Sequence, residues 1–212
     1  YEIEPGVYRL WFNNSYSAAP VSAVIKGSKT LEGRDMKADE FSFSLEAADN
    51  ATKAALADDS VYFVQDGTDA DKALTSLEAN AGAADEGEAA AFTFGRQKTE
   101  SAGAASITFN KIGTYRFRVK ENVPADAKDN VKKGITYDDN ISTVTVTVTD
   151  KDDDGNKTGR LKAQVSYDNS GHEETGLAKF VNKYKESGSY DITGVKKIEG
   201  RAFAEGDSFT FA

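Results

Sequence analysis

The sequence predicts a mainly β protein, arranged as an antiparallel sandwich or open barrel, and three observations lead there. Apolar and polar residues alternate with period two in at least five stretches. The apolar stretches are short and broken. Only two segments carry a helical pattern. Thr143 to Thr149 reads TVTVTVT, which puts Val144, Val146 and Val148 on one face and threonines on the other. The same alternation runs through Phe41-Ser-Phe43-Ser-Leu45, Ile107-Thr-Phe109, Tyr115-Arg-Phe117-Arg-Val119 and Leu161-Lys-Ala163-Gln-Val165-Ser-Tyr167. Strands with one wet and one dry face belong in antiparallel sheets that pack on one side only.

The two helical segments are Asn50 to Asp58 (NATKAALAD) and Thr68 to Ala79 (TDADKALTSLEA). The second opens with Thr68 and Asp71 at capping-box spacing. The small, polar stretch AGAADEGEAAA after it reads as a loop. Asn50 to Ala91 is therefore expected to be a short helical insertion over one edge of the sheet.

Composition narrows the function classes. The 212 residues include 35 acidic and 26 basic ones, for a formal charge of −9. A surface this acidic repels phosphate backbones and anionic lipid heads, so neither nucleic acid nor a membrane is an expected partner. No apolar run is long enough to span a bilayer, and no signal peptide is visible. With no cysteine, disulfides, thiolate metal sites and thiol nucleophiles are excluded. An exported protein of this kind must find its mechanical strength elsewhere.

An internal repeat sets the domain map. Lys29-Thr-Leu-Glu-Gly-Arg34, followed by Phe41-Ser-Phe43, recurs as Lys196-Lys-Ile-Glu-Gly-Arg201, followed by Phe209-Thr-Phe211. Phe12-Asn-Asn-Ser-Tyr16 recurs as Phe180-Val-Asn-Lys-Tyr184. The offsets are 196 − 29 = 167 and 182 − 14 = 168, one period from two unrelated motifs. Residues 1–18 then read as the C-terminal strand of a preceding module, 19–187 as a complete module, and 188–212 as the first strands of a following one. The module's own strands run from about Val21 to Lys185. Ser17 to Pro20 and Glu186 to Ser189 are the connectors.

Alternation also assigns faces, and three polar residues of this module face inward. Glu121 shares parity with Tyr115, Phe117 and Val119, while Arg116, Arg118 and Lys120 point to water. Lys29 shares parity with Val21, Ala23, Ile25 and Leu31, and Asn182 with Ala178, Phe180 and Tyr184. Burial lowers a lysine pKa and raises that of a glutamic acid. A neutral amine can attack a carboxamide, while a protonated carboxyl polarises its carbonyl and carries protons to the leaving ammonia. The same residues equally suit a buried ion pair beside an asparagine that caps a strand end. Lys26 is a competing nucleophile of opposite parity.

The ordered set of motifs resembles a known family. K-x-L-x-G-R (Lys29, Leu31, Gly33, Arg34) and F-x-F come first, then Gly113-Thr-Tyr115 with Glu121. Gly134-Ile-Thr-Tyr-Asp138, Val144 to Asp150 and Phe180-x-Asn182-x-Tyr184 follow. In this order they resemble the streptococcal pilin isopeptide-linkage domain of Gram-positive surface proteins and pilins. The resemblance covers Val21 to Lys185 apart from the insertion. It implies an immunoglobulin-like (Cna B-type) β-sandwich with an autocatalytic Lys29–Asn182 isopeptide bond between first and last strands, assisted by Glu121 as proton shuttle. It also implies an extracellular, bacterial cell-surface location, with the cell-wall anchor outside this chain.

Other signals are weaker. Asp150-Lys-Asp152-Asp-Asp154-Gly155 opens like a calcium loop, but its twelfth position is Leu161, so a solvated hairpin turn is expected. His172, the sole histidine, is expected in an exposed loop, and Trp11 is expected to pack beside the Phe12 motif. No cofactor or metal is expected. The leading function is a structural stalk or pilus-type module whose partners are neighbouring modules of the same protein, and not an enzyme that turns over. The alternative is a ligand-binding adhesin module that meets a host surface ligand through residues 50–91.

Overall fold

A computed structural model describes residues 2–8, 12–13, 18–64, 74–95, 106–152, 154–173, 176–186 and 194–210. In chain order the strands begin with β1 (Glu2–Glu4), β2 (Val7–Tyr8), β3 (Val21–Ala23), β4 (Ile25–Glu32) and β5 (Ser42–Ala47). The helix α1 (Asn50–Ala57) follows, then β6 (Val61–Val64), β7 (Ser76–Asn80), β8 (Ala89–Phe94) and β9 (Ser106–Phe109). Next come β10 (Gly113–Glu121), β11 (Val131–Lys132), β12 (Ile135–Thr136), β13 (Ile141–Lys151), β14 (Lys157–Asn169) and β15 (Ala178–Tyr184).

Two five-stranded sheets, ordered β14-β13-β10-β5-β7 and β11-β12-β15-β4-β8, enclose the core, and β3-β9-β6 forms a third, smaller sheet. The result is an immunoglobulin-like β-sandwich. Its sheets meet through aromatic rings. Phe43 of β5 stacks on Phe92 of β8 with centroids 3.9 Å apart, and Phe180 of β15 lies 5.0 Å from Phe43. Alternation dictates which side chains arrive there. Val144, Val146 and Val148 of β13 and Tyr115, Phe117 and Val119 of β10 are all buried. β10 and β13 pair antiparallel, with Phe117 opposite Val144. The first and last strands of the sandwich, β4 and β15, lie side by side and parallel, with Phe180 opposite Lys29 and Asn182 opposite Leu31.

Two of the motif glycines, Gly33 and Gly134, belong to this strand exit. Gly33 has φ +98, and a Cβ there would stand 2.2 Å from the Tyr184 carbonyl oxygen. No other residue permits both that backbone and that approach.

The insertion departs from expectation. Asn50–Ala57 is a helix, with the Asp49 carboxylate accepting from the Thr52 N–H at 2.7 Å. The second expected helix is not one where it is described: Ser76–Asn80 is a strand paired with β5, Leu77 opposite Leu45. Thr68 and Asp71 lie outside the described residues. The expected loop also gives way, since its last three alanines open β8, which pairs with β4. Tertiary pairing overrides helix propensity here, because Leu77, Ala90, Phe92 and Phe94 each fill the core. The segment is thus not draped over an edge but supplies a strand to each of the three sheets. Among the described residues α1 is the one helix, and none is long and apolar enough to cross a membrane.

Candidate functional site

The parallel β4–β15 pairing brings Lys29 and Asn182 onto neighbouring strands with both side chains turned into the core. Each is 0% exposed. β10, in the facing sheet, ends at Glu121, which is 6% exposed and lies opposite them. The three residues meet. Lys29 Nζ donates to Glu121 Oε2 at 2.9 Å, and Asn182 Nδ2 donates to Glu121 Oε1 at 2.8 Å. One carboxyl group therefore bridges an amine and a carboxamide, one oxygen to each nitrogen. Phe41 closes the site, its ring centroid 4.8 Å from Nζ. Lys26 points to solvent on the opposite face of β4.

Burial governs the electrostatics. Desolvation pushes Lys29 down to about 8, with the Glu121 charge and hydrogen bond opposing. It pushes the Glu121 carboxyl up, against the Lys29 charge and the hydrogen bonds from Lys29 and Asn182. Both shifts favour the neutral form, so the ion pair and the neutral amine–acid pair differ by one proton moved along a 2.9 Å hydrogen bond. A buried pair of this kind contributes little net stability, because desolvation offsets its attraction.

The asparagine carbonyl differs from expectation. Its Oδ1 accepts from the backbone N–H of Asp138 at 2.7 Å, and Glu121 faces the amide nitrogen instead. A backbone N–H can only donate, which fixes the orientation of the carboxamide. Asp138 is a member of the site that reading by parity missed. Its carboxylate is also engaged, with Oδ2 accepting from the Val181 N–H at 2.6 Å and lying 2.7 Å from His172 Nε2. Burial would raise that carboxyl, but the Val181, His172 and Asn140 hydrogen bonds hold it below its ordinary value. His172 is consequently half-buried rather than an exposed loop residue.

Elsewhere, Asp152, Asp154 and Asn156 lie in the connection between β13 and β14. Asp152 Oδ1 accepts from the N–H groups of Asp154 and Asn156 at 3.1 and 2.7 Å, so the carboxylate stabilises the turn itself. Among the described residues no acidic or histidine cluster has the arrangement of a metal site. A cleft of about 560 Å³ beside α1 is lined by Glu46, Lys53, Leu56, Asp59 and Leu74. Asn14, Tyr16 and Trp11 lie outside the described residues, and Lys196 is exposed.

Comparison with known proteins bears on this arrangement. Residues 25–185 match the family described as FctA, a Spy0128-like isopeptide containing domain. Among solved structures, the chain is similar to the major pilin from Streptococcus pyogenes, with a TM-score of 0.42 and 15% identity over 77% of this chain and 51% of the pilin. The major pilin protein T-13 of the same species gives 0.38 and 18%, over 80% and 55%. The chain therefore spans about half the length of the pilins it matches. No curated sequence matches it.

Proposed function

The chain belongs to the Spy0128-like isopeptide containing domain family, and on that premise we propose that its central module is a structural unit of a Gram-positive surface stalk or pilus. Lys29 and Asn182 join in an isopeptide bond, formed once, with Glu121 carrying the protons. The observation that supports this best is the two-faced carboxyl, Oε2 on the Lys29 nitrogen and Oε1 on the Asn182 nitrogen.

The chemistry follows from those contacts. Glu121 takes a proton from the Lys29 ammonium, leaving the neutral amine and neutral acid that burial favours. Nζ attacks Cγ of Asn182, forming the new C–N bond and moving the carbonyl electron pair onto Oδ1. Glu121 delivers its proton to Nδ2 and accepts the second proton from Nζ. The C–Nδ2 bond breaks as the carbonyl reforms, and ammonia leaves. It takes the remaining proton from Glu121 and departs as ammonium. The dry aromatic surroundings keep water from competing for the carbonyl.

The repeat supports placing residues 1–18 and 188–212 in adjoining modules. Arg34 holds Glu40 with both terminal nitrogens, and Arg201 holds Asp207 in the same way, at 2.8 Å on each. Lys196 lies 4.8 Å from the Phe209 ring centroid, matching the distance between Lys29 and Phe41. Tension along such an array enters at Lys29 and leaves at Asn182 through covalent bonds. Ligand binding through residues 50–91 has less support, because that segment gives β6, β7 and the start of β8 to the sheets and Leu56, Val61, Phe63, Leu77 and Ala90 to the core.

Peptide mapping of wild type and Glu121→Ala tests the proposal. Wild type should yield a branched tryptic peptide containing both Lys29 and Asn182, and Glu121→Ala should yield the two linear peptides. Linear peptides from folded wild type would defeat it, and branched peptides from the variant would show that another group moves the protons.

A further inference from the structure

We propose that Asp138 is a positioning residue for bond formation, its carboxylate holding the chain so that its own backbone N–H binds the Asn182 carbonyl oxygen. The proposal rests on the Lys29–Asn182 reading and adds the group that takes up charge on Oδ1.

The geometry begins with the ladder beside β15. β12 pairs with β15 antiparallel, Ile135 opposite Tyr184 and Thr136 opposite Lys183. Just before it, the Lys185 N–H donates to the Gly134 carbonyl at 2.9 Å. Continued two residues at a time, that register sets Asp138 opposite Val181 and Asn140 opposite Lys179. Backbone pairing stops at Thr136, however, and side chains take over. Asp138 Oδ2 accepts from the Val181 N–H at 2.6 Å, and Asn140 Nδ2 donates to the Lys179 carbonyl at 2.7 Å. Asn169 Oδ1 accepts from the Lys179 N–H at 3.3 Å. These side chains satisfy the Val181 N–H and both outward backbone groups of Lys179 without a neighbouring backbone.

This substitution releases the Asp138 N–H from the ladder. In a continued sheet it would bond to a β15 carbonyl. Here it reaches a side chain, Asn182 Oδ1, at 2.7 Å. Asp138 is fixed from three directions: Val181 N–H and His172 Nε2 on Oδ2, and Asn140 N–H on Oδ1 at 2.9 Å. An N–H already aimed at the oxygen polarises the carbonyl and stabilises the charge that attack by Nζ places there. Small losses of such alignment cost roughly 10–100-fold in rate.

The test follows freshly synthesised full-length chain by intact mass, timing the loss of one ammonia in wild type, Asp138→Ala and Asp138→Asn. Asp138→Asn is nearly isosteric but cannot accept at both oxygens, so one of its donors goes unmet. Both variants should cross-link roughly 10–100-fold more slowly, Asp138→Asn less slowly than Asp138→Ala. A purely structural role is separated in a Glu121→Ala background, where amide hydrogen exchange at residue 138 is measured beside melting. The proposal expects that amide to be protected with Asp138 and to lose its protection in both variants. A wild-type rate with undiminished protection in Asp138→Asn overturns the positioning role and leaves the cross-link standing. A wild-type chain that never loses ammonia removes the cross-link itself, and this proposal with it.

Discussion

Replacing Asn182 by Ala removes the electrophile while leaving the Lys29–Glu121 pair in place. The proposed bond would join positions 182 − 29 = 153 apart in sequence. Treated as a disulfide of that loop length, the closure stabilises by about 5 kcal/mol at 25 °C through the unfolded state. The substitution also orphans the buried Asp138 N–H, now bonded to Oδ1 at 2.7 Å, for about 1–3 kcal/mol more. The sum is about 6–8 kcal/mol. Domains of 150–250 residues shift by about 2–4 °C per kcal/mol, so melting should fall by roughly 15–30 °C. Thermal melts and urea titrations of wild type and Asn182→Ala, followed by circular dichroism, measure this. The urea slope should be larger in the variant, since its unfolded chain is not held in a loop. A fall of only a few degrees with equal slopes would mean that the wild-type unfolded chain is unconstrained, and the reasoning would be refuted.

Three further outcomes are expected. In single-molecule pulling, wild type should never release the 152 residues between the linked positions, whereas Glu121→Ala should lengthen by about 500 Å when its module unfolds; equal extension in both would contradict the force path. The rate of bond formation should be bell-shaped in pH, reporting the Lys29–Glu121 pair jointly. On the acid side Glu121 gains a proton and cannot accept one from Lys29, and this limb lies above the ordinary carboxylate range because burial raises that carboxyl. On the alkaline side Lys29, pushed down to about 8, deprotonates and leaves no proton for Nδ2, so a flat profile across both limbs would argue against a shuttle. Gly33→Ala should lower the melting temperature by several degrees and slow cross-linking, because its Cβ would sit 2.2 Å from the Tyr184 carbonyl at the end of β15; wild-type behaviour would show that the crowding is relieved cheaply.

How far the sequence reveals all this varies with the kind of information required. β10 and β13 are legible because each alternates strongly, and the same parity turns Lys29, Glu121 and Asn182 inward. Parity gives a face but not a neighbour. The parallel contact of β4 and β15 depends on how the whole chain closes, and no local pattern encodes it. β7 and β8 are misread because Ala, Leu and Glu favour helices, and three consecutive alanines show no contrast between faces. Their strand state comes from Leu45 and β4, far away in sequence. Asp138 ends the Gly134-Ile-Thr-Tyr-Asp138 motif, yet its part is played by a backbone N–H freed where β12 leaves β15. His172 is likewise explained only by what it touches.

The most direct test of the account is the mass of the intact, denatured wild-type chain. It should be lighter than its sequence by one ammonia, and by one only. The module supplies a single Lys29–Glu121–Asn182 set, and Asn14 and Lys196 have no partner acid of the Glu121 kind within their own repeats here. Loss of a second ammonia would show that Asn14 and Lys196 react without such an acid. A mass equal to that of the unmodified sequence, in protein that is folded, would contradict the central claim.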